Sequence, residues 1–207
     1  MLKLYYARGT CALATHIALE EASAEFEAIR LDFSIGQQRS PQYLAVNPKG
    51  RVPALVTPQG VLTETPALLA YVAEIFPNSG LMPLGDAFNC ARINSFNAYL
   101  CATMHVALAH GQRAPRWADD PAAWASMRAK MPQNAAECCA LIEKDMFVGP
   151  WVMGEAYTVA DPYLFTILGW LKPDRCDITN YPALTEHLQR MRERPAVQRV
   201  LARESAD

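Results

Sequence analysis

"NPKGRVPALVTPQGVLTETPALL", residues 47–69, decides the fold. "VPALVT" (52–57) and "VLTE" (61–64) flank "PQG" (58–60), and this tight turn predicts a β-hairpin of residues 54–57 and 61–63. A valine ahead of a proline is driven to extended backbone, so Val52–Pro53 marks the mouth of the first strand. A cis bond there would turn the Val52 N–H and C=O sideways, an edge for an extended peptide. A trans bond, the commoner form, would make it only a strand start. The hairpin then hands over to "TPALLAYVAEIF" (65–76), a helix with Leu68, Leu69, Val72 and Phe76 on one face and Pro66 in its first turn.

Towards the N-terminus, "KLYY" (3–6) and "FEAIRL" (26–31) read as strands. Between them "CALATHIALEEA" (11–22) spaces Leu13, Ile17 and Leu19 as a helix does, with Glu20 and Glu21 exposed near its end. "SPQYLAVNP" (40–48) predicts a short helix capped by Ser40, with Pro41 in the first turn. The order is β-α-β-α-β-β-α, an α/β domain over residues 1–78. "PNSGLMPLGD" (77–86) is rich in turn formers and separates it from an all-helical domain, 87–207. There, residues 87–111 put Phe96, Leu100, Thr103, Met104, Ala107 and Leu108 on one face. Residues 121–146 carry Trp124, Met127, Met131, Ala135, Cys138 or Cys139, and Ile142, and Pro132 is expected to kink or divide that helix. "TVADPYLFTILGWL" (158–171) is apolar nearly all round and should be buried. Two amphipathic helices, 181–191 and 195–203, finish the chain.

The composition of the 207 residues, 51% hydrophobic and 19% charged, is that of a globular protein with ample core material. A formal charge of −2 gives no broad attraction to nucleic acid or acidic membrane, and Arg175, Arg190, Arg192 and Arg194 read as solvated helix ends. No run approaches the ~18 apolar residues of a membrane span, and the N-terminus lacks a signal-peptide core, so a cytoplasmic location is expected. The cysteines form no CxxC pair, and four scattered histidines have no metal-ligand spacing. Five of the six cysteines read as small buried hydrophobes.

Cys11 is the exception, standing alone where a helix begins. The positive end of a helix lowers a thiol pKa, and Thr10 could cap that turn or donate to the sulfur. At the other helix start, backbone N–H groups and the Thr65 hydroxyl would receive a ligand carboxylate while Glu64 meets an ammonium group. The alternative is a simple cap. Asn94, Asn97, Cys101 and His105 form a stripe suited to a wet cleft, His105 being otherwise an interface or solvent residue.

Cys11 after "KLYYARGT", with "AVNPKGRVPAL", "LTETPALLAYVAEIFP" and "GEAYTVADPYLF", resembles the bacterial glutathione S-transferases, specifically their beta class, along essentially the whole chain. The resemblance implies a thioredoxin-like N-terminal domain, an all-helical C-terminal domain and a homodimer. It implies glutathione as co-substrate, no metal, and no nucleic-acid or membrane partner. Residue by residue, Cys11 becomes the class cysteine and Tyr6 the nearby tyrosine. Val52 and Pro53 form the backbone clamp, Glu64 and Thr65 hold the γ-glutamyl end, and Thr103 and His105 approach from the helix. The thiolate would attack a hydrophobic electrophile in an apolar pocket lined by Tyr6, Met104, Leu108 and Trp117, a detoxification chemistry. Alternatives are a thiol–disulfide transferase or peroxidase working through a Cys11 mixed disulfide, or a non-catalytic ligand-binding or stress protein. With no second cysteine near Cys11, a monothiol route is expected. Thr158 and Asp161 match the family's capping box, a folding element. Three positions depart from the pattern. "DFSIGQQRSPQ" (32–42) lacks the usual loop lysine and offers Arg39 as nearest cation. Ala98 replaces a helix asparagine, with Asn97 beside it, and Met104 stands where an acid commonly precedes the histidine.

Overall fold

The computed structural model describes residues 1–172 and 176–206, so Arg175 lies outside the described residues. The first half follows the expected order: β1 (Leu2–Tyr6), α1 (Ala12–Glu21), β2 (Phe26–Arg30), α2 (Pro41–Val46), β3 (Ala54–Thr57), β4 (Gly60–Thr63) and α3 (Thr65–Ile75). The sheet order is β2-β1-β3-β4, with β1 parallel to β2 and β3 antiparallel to both β1 and β4. This mixed sheet with its helices is the thioredoxin-like arrangement. The hairpin turn is tighter than predicted. Thr57 pairs with Gly60, and its hydroxyl accepts from Gln59 N at 3.1 Å while donating to Gly60 O at 2.9 Å. Alternation along β1 sends Leu2, Leu4 and Tyr6 into the core and leaves Lys3 outside, paired with Glu27 at 2.9 Å. Ser40 caps α2 by accepting from Tyr43 N at 3.2 Å.

The second half is helical: α4 (Ala87–Tyr99), a π-type turn over Leu100–Met104, α5 (His105–Gln112), α6 (Pro121–Leu141), α7 (Ala160–Leu168), α8 (Pro182–Glu193) and α9 (Pro195–Ser205). Three expectations are revised here. Pro132 does not divide α6, which runs unbroken from Pro121 to Leu141 packed against α5. At the tightest approach an added Cβ on Gly111 would lie 2.7 Å from the Met131 Cβ. The π-type turn adds a residue per turn, so the 3.6-residue spacing breaks: Leu100 and Met104 stay buried, but Thr103 is exposed. Asn94 is exposed and Asn97 fully buried, so of the anticipated polar stripe only Cys101 and His105 reach a cleft.

Helix α7 is buried at every residue. Its start is fixed by Asp161, which accepts from Thr158 N at 2.7 Å, Val152 N at 2.9 Å and His187 Nε2 at 3.1 Å. The Thr158 hydroxyl accepts from Ala160 N at 3.3 Å, one position earlier than a standard box. The two halves meet along α1. His16 Nδ1 donates to Glu204 Oε1 at 3.2 Å, and Val159 N reaches across to Leu81 O at 2.9 Å. Glu20 and Glu21 are not free ends: Arg199 pairs with Glu20 at 2.6 Å, and Arg194 grips Glu21 through two bonds. Arg194 also stacks 3.7 Å from the Tyr157 ring centre, and Arg190 donates to Pro150 O at 2.8 Å. These arginines therefore hold segments together rather than sitting solvated. No described helix is long and apolar enough to cross a membrane.

Candidate active site

The loop that opened the sequence reading forms one wall of a cleft between the halves. Asn47 organises it. Its Nδ2 donates to Arg51 O at 2.7 Å, its Oδ1 accepts from Lys49 N at 3.2 Å, and its own carbonyl accepts from Gly50 N at 2.9 Å. Tyr43 adds a hydroxyl donor to Arg51 O at 2.6 Å. Gly50, at φ 58°, packs so closely that a Cβ would come 2.9 Å from Gln38 O. The braced loop ends in a cis Val52–Pro53 bond.

Cys11 begins α1 opposite that bond, and its thiol donates to Val52 O at 3.6 Å. Thr10 does the capping: its hydroxyl accepts from Ala12 N at 3.4 Å and donates to Ala7 O at 2.6 Å, so it turns away from the sulfur. Burial pushes the Cys11 thiol up from its ordinary pKa. The Thr65 hydroxyl, the thiol's own backbone and Arg113 pull the other way but do not win. The expected lowering at the helix start is thus outweighed by the dry setting of the sulfur.

Cys11, Val52, Pro53, Glu64, Thr65 and His105 line one cleft of about 420 Å³. Thr65 is buried at the first turn of α3, and Glu64 holds a left-handed φ of 72° at the junction with β4. The Glu64 carboxylate already has a cation, Lys49 Nζ at 2.6 Å, which also donates to Thr63 Oγ1 at 2.8 Å. His105 opens α5 with its ring edge against Trp170, centroids 4.8 Å apart. Burial, then the charges of Arg113, Arg116 and Arg51, lower its pKa to about 4, so the imidazole is neutral at neutral pH.

Two candidate residues stand elsewhere. Tyr6 is 2% exposed beneath α1, its ring 5.0 Å from that of His16, because strand alternation turns it to the core face. Thr103 is exposed and lines neither cleft, displaced by the π-type turn. Of the expected apolar pocket, Met104 is fully buried, Trp117 lines the Cys11 cleft, and Leu108 lines an adjoining one.

The sequence reading missed the cations. Arg51, Arg113 and Arg116 join Arg39 around the Cys11 cleft, and these neighbours, after burial, lower the Arg116 pKa. "GQRAPRW" (111–117), two arginines three apart just past a helix end, carried the signal. Tyr163 was missed as well, whereas Cys101, expected on the cleft stripe, does line this cleft. It stands close enough to push the Cys11 pKa up, so a second cysteine is near in space although remote in sequence. The adjoining cleft, about 740 Å³, shares His105, Ala109, Arg113 and Trp170 with the first. Among the described residues no cluster of three or more His, Cys, Asp or Glu could hold a metal.

The sequence profile of the glutathione S-transferase N-terminal domain matches residues 1–74, and that of the C-terminal domain matches residues 123–204. The chain is 30% identical to the glutathione S-transferase GstA of Escherichia coli O157:H7, over 98% of each protein. Among solved structures, a glutathione transferase homologue from Sulfitobacter with bound glutathione superposes with a TM-score of 0.94 at 44% identity, covering 98% of each chain. The beta-class enzyme of Sphingomonas chungbukensis gives 0.83 at 32% identity, again over 98% of each.

Proposed function

This chain belongs to the glutathione S-transferase family, and from that premise we propose that it joins the sulfur of glutathione to an electrophilic carbon at the cleft headed by Cys11. The observation that carries the reading is the convergence, in one cleft, of a half-buried thiol, the Val52 backbone it touches and a helix start bearing Thr65. An extended tripeptide needs such a set. The Val52 backbone offers a strand-like edge. The α3 start and Thr65 hydroxyl take the γ-glutamyl carboxylate, and Glu64 takes its ammonium in competition with Lys49. The glycine carboxylate, without the usual loop lysine, falls to the arginines facing the groove. We assign glutathione binding to residues 1–78, and the second substrate and dimer contacts to 87–207.

In the reaction the glutathione thiol gives its proton to solvent, its sulfur forms a bond to the electrophilic carbon, and a leaving group departs with the bonding pair. Hydrogen donors at the α1 start favour the thiolate. His105 is neutral, so it can accept a hydrogen bond without adding charge, and Tyr6 supports the wall from behind. We further infer a homodimer, supported by the exposed apolar side chains Phe88, Leu141 and Val148 of the helical half, and a cytoplasmic detoxification role.

A second reading has an observation behind it. Cys101 shares the cleft, so Cys11 could attack oxidised glutathione, forming a mixed disulfide and releasing one glutathione thiolate, with Cys101 near enough to influence the thiol. Cys11→Ala separates the two. Conjugation of 1-chloro-2,4-dinitrobenzene should survive and disulfide exchange should stop. Loss of both assigns Cys11 to conjugation itself, and absence of conjugation in the unaltered protein overturns the transferase reading.

A further inference from the structure

Around the two joined clefts stand Arg39, Arg51, Arg113, Arg116, Arg128 and Lys172, and the acid lining either of them among the described residues is Glu64, already paired with Lys49. Glutathione brings two carboxylates and one ammonium, which cannot balance that set. The larger cleft has its own share, with no acid among its described lining residues: Arg113 stands just past α5, Arg128 comes from α6 and Lys172 from beyond α7. Among the described residues, neither arginine has an ion-pair or hydrogen-bond partner for its guanidinium. The same cleft is also lined by apolar groups: Leu108, Ala109, Met131 and the Trp170 ring.

We propose that the second substrate is an electrophile with an apolar, preferably aryl, body and an anionic group, a carboxylate or sulfonate, which docks between Arg113 and Arg128. This rests on the transferase reading and changes its substrate class, from plain hydrophobic electrophiles to amphiphilic anions. The body lies on Trp170 and Met131. The reacting carbon faces the cleft that His105, Ala109 and Arg113 share with the thiol site. The anionic end lies on the Arg128 side, the part of the larger cleft that the thiol site does not share. Planar guanidinium groups suit a carboxylate through paired N–H donors, and both arginines are exposed at the cleft rim, where they also draw anions in. Arg113 serves both clefts, and Arg128 lines the second alone.

The test compares 4-chloro-3-nitrobenzoate with its uncharged isostere 4-chloro-3-nitrobenzamide, each rate divided by the uncatalysed rate with free glutathione at the same pH. In each case the thiolate displaces chloride. The protein should favour the acid in normalised kcat/KM by about tenfold, with the advantage shrinking in high salt. Arg128→Gln should cut that ratio several-fold, mainly by raising KM for the acid, and Arg128→Lys should restore part of it. Equal or better use of the amide by the unaltered protein overturns the proposal while the transferase reading stands. So does an Arg128→Gln effect that falls on both probes alike. Turnover of 1-chloro-2,4-dinitrobenzene but of neither probe overturns the proposal alone, and turnover of none of the three overturns both.

Discussion

At Cys11 two familiar influences oppose each other, and burial is the larger. A thiol pushed up from its ordinary pKa is mostly protonated at neutral pH. Its alkylation by iodoacetamide at pH 7 should therefore run slower than that of free cysteine, and keep rising with pH beyond the point where free cysteine levels off. A plateau below pH 8 would contradict this. His105 moves the opposite way. Its ring signals in NMR should titrate with a midpoint near 4, against about 6.5 for an ordinary histidine. Because the folded state holds it neutral, the resulting stability is present above pH 6.5 and is lost as pH falls towards 4. Arg113→Gln, by removing one of the charges that follow burial as causes, should raise that midpoint. These directions were not legible in the sequence. Spacing put Cys11 at a helix start and His105 on a helix, but the depth of each and the arginines around them depend on long-range packing.

Elements were more legible than their faces. The hairpin, the capped short helix and the buried α7 follow from turn residues, Ser40 and an unbroken apolar run, all local signals. Thr103 was misplaced because the π-type turn at Leu100–Met104 resets the register, and nothing in a 3.6-residue pattern announces an extra residue. Pro132 leaves α6 undivided, and the helix packs along α5. That contact has no spare room, so Gly111→Ala should cost about 1–3 kcal/mol in urea unfolding through the clash with Met131. The start of α7 is a second sensitive point. Asp161→Ala strands the Val152 and Thr158 N–H groups and the His187 ring in a dry interior. A loss of about 3–5 kcal/mol is expected from the midpoint shift. A change below 1 kcal/mol would mean that the box is dispensable.

For the whole molecule, the decisive feature is that α1 belongs to both halves. It carries the sheet on one side and meets α7 and α9 on the other, with Glu20 and Glu21 bound by arginines of the last two segments. All four tryptophans lie in the helical half, whereas the far-ultraviolet circular dichroism reports on both halves. Fluorescence and circular dichroism should therefore lose their signals at one denaturant concentration, and two separated midpoints would show independent domains. The same shared seam sets Cys11 and the Val52–Pro53 edge, from the first half, against His105 and the arginines of the second. Whether this arrangement receives a tripeptide with its sulfur beside Cys11 is tested by passing the protein over immobilised glutathione, then treating it with oxidised glutathione and weighing the intact chain. The account predicts retention, and a single glutathione adduct on Cys11 that dithiothreitol removes and Cys11→Ala abolishes. Flow-through without retention, or an adduct that persists in Cys11→Ala, would contradict it.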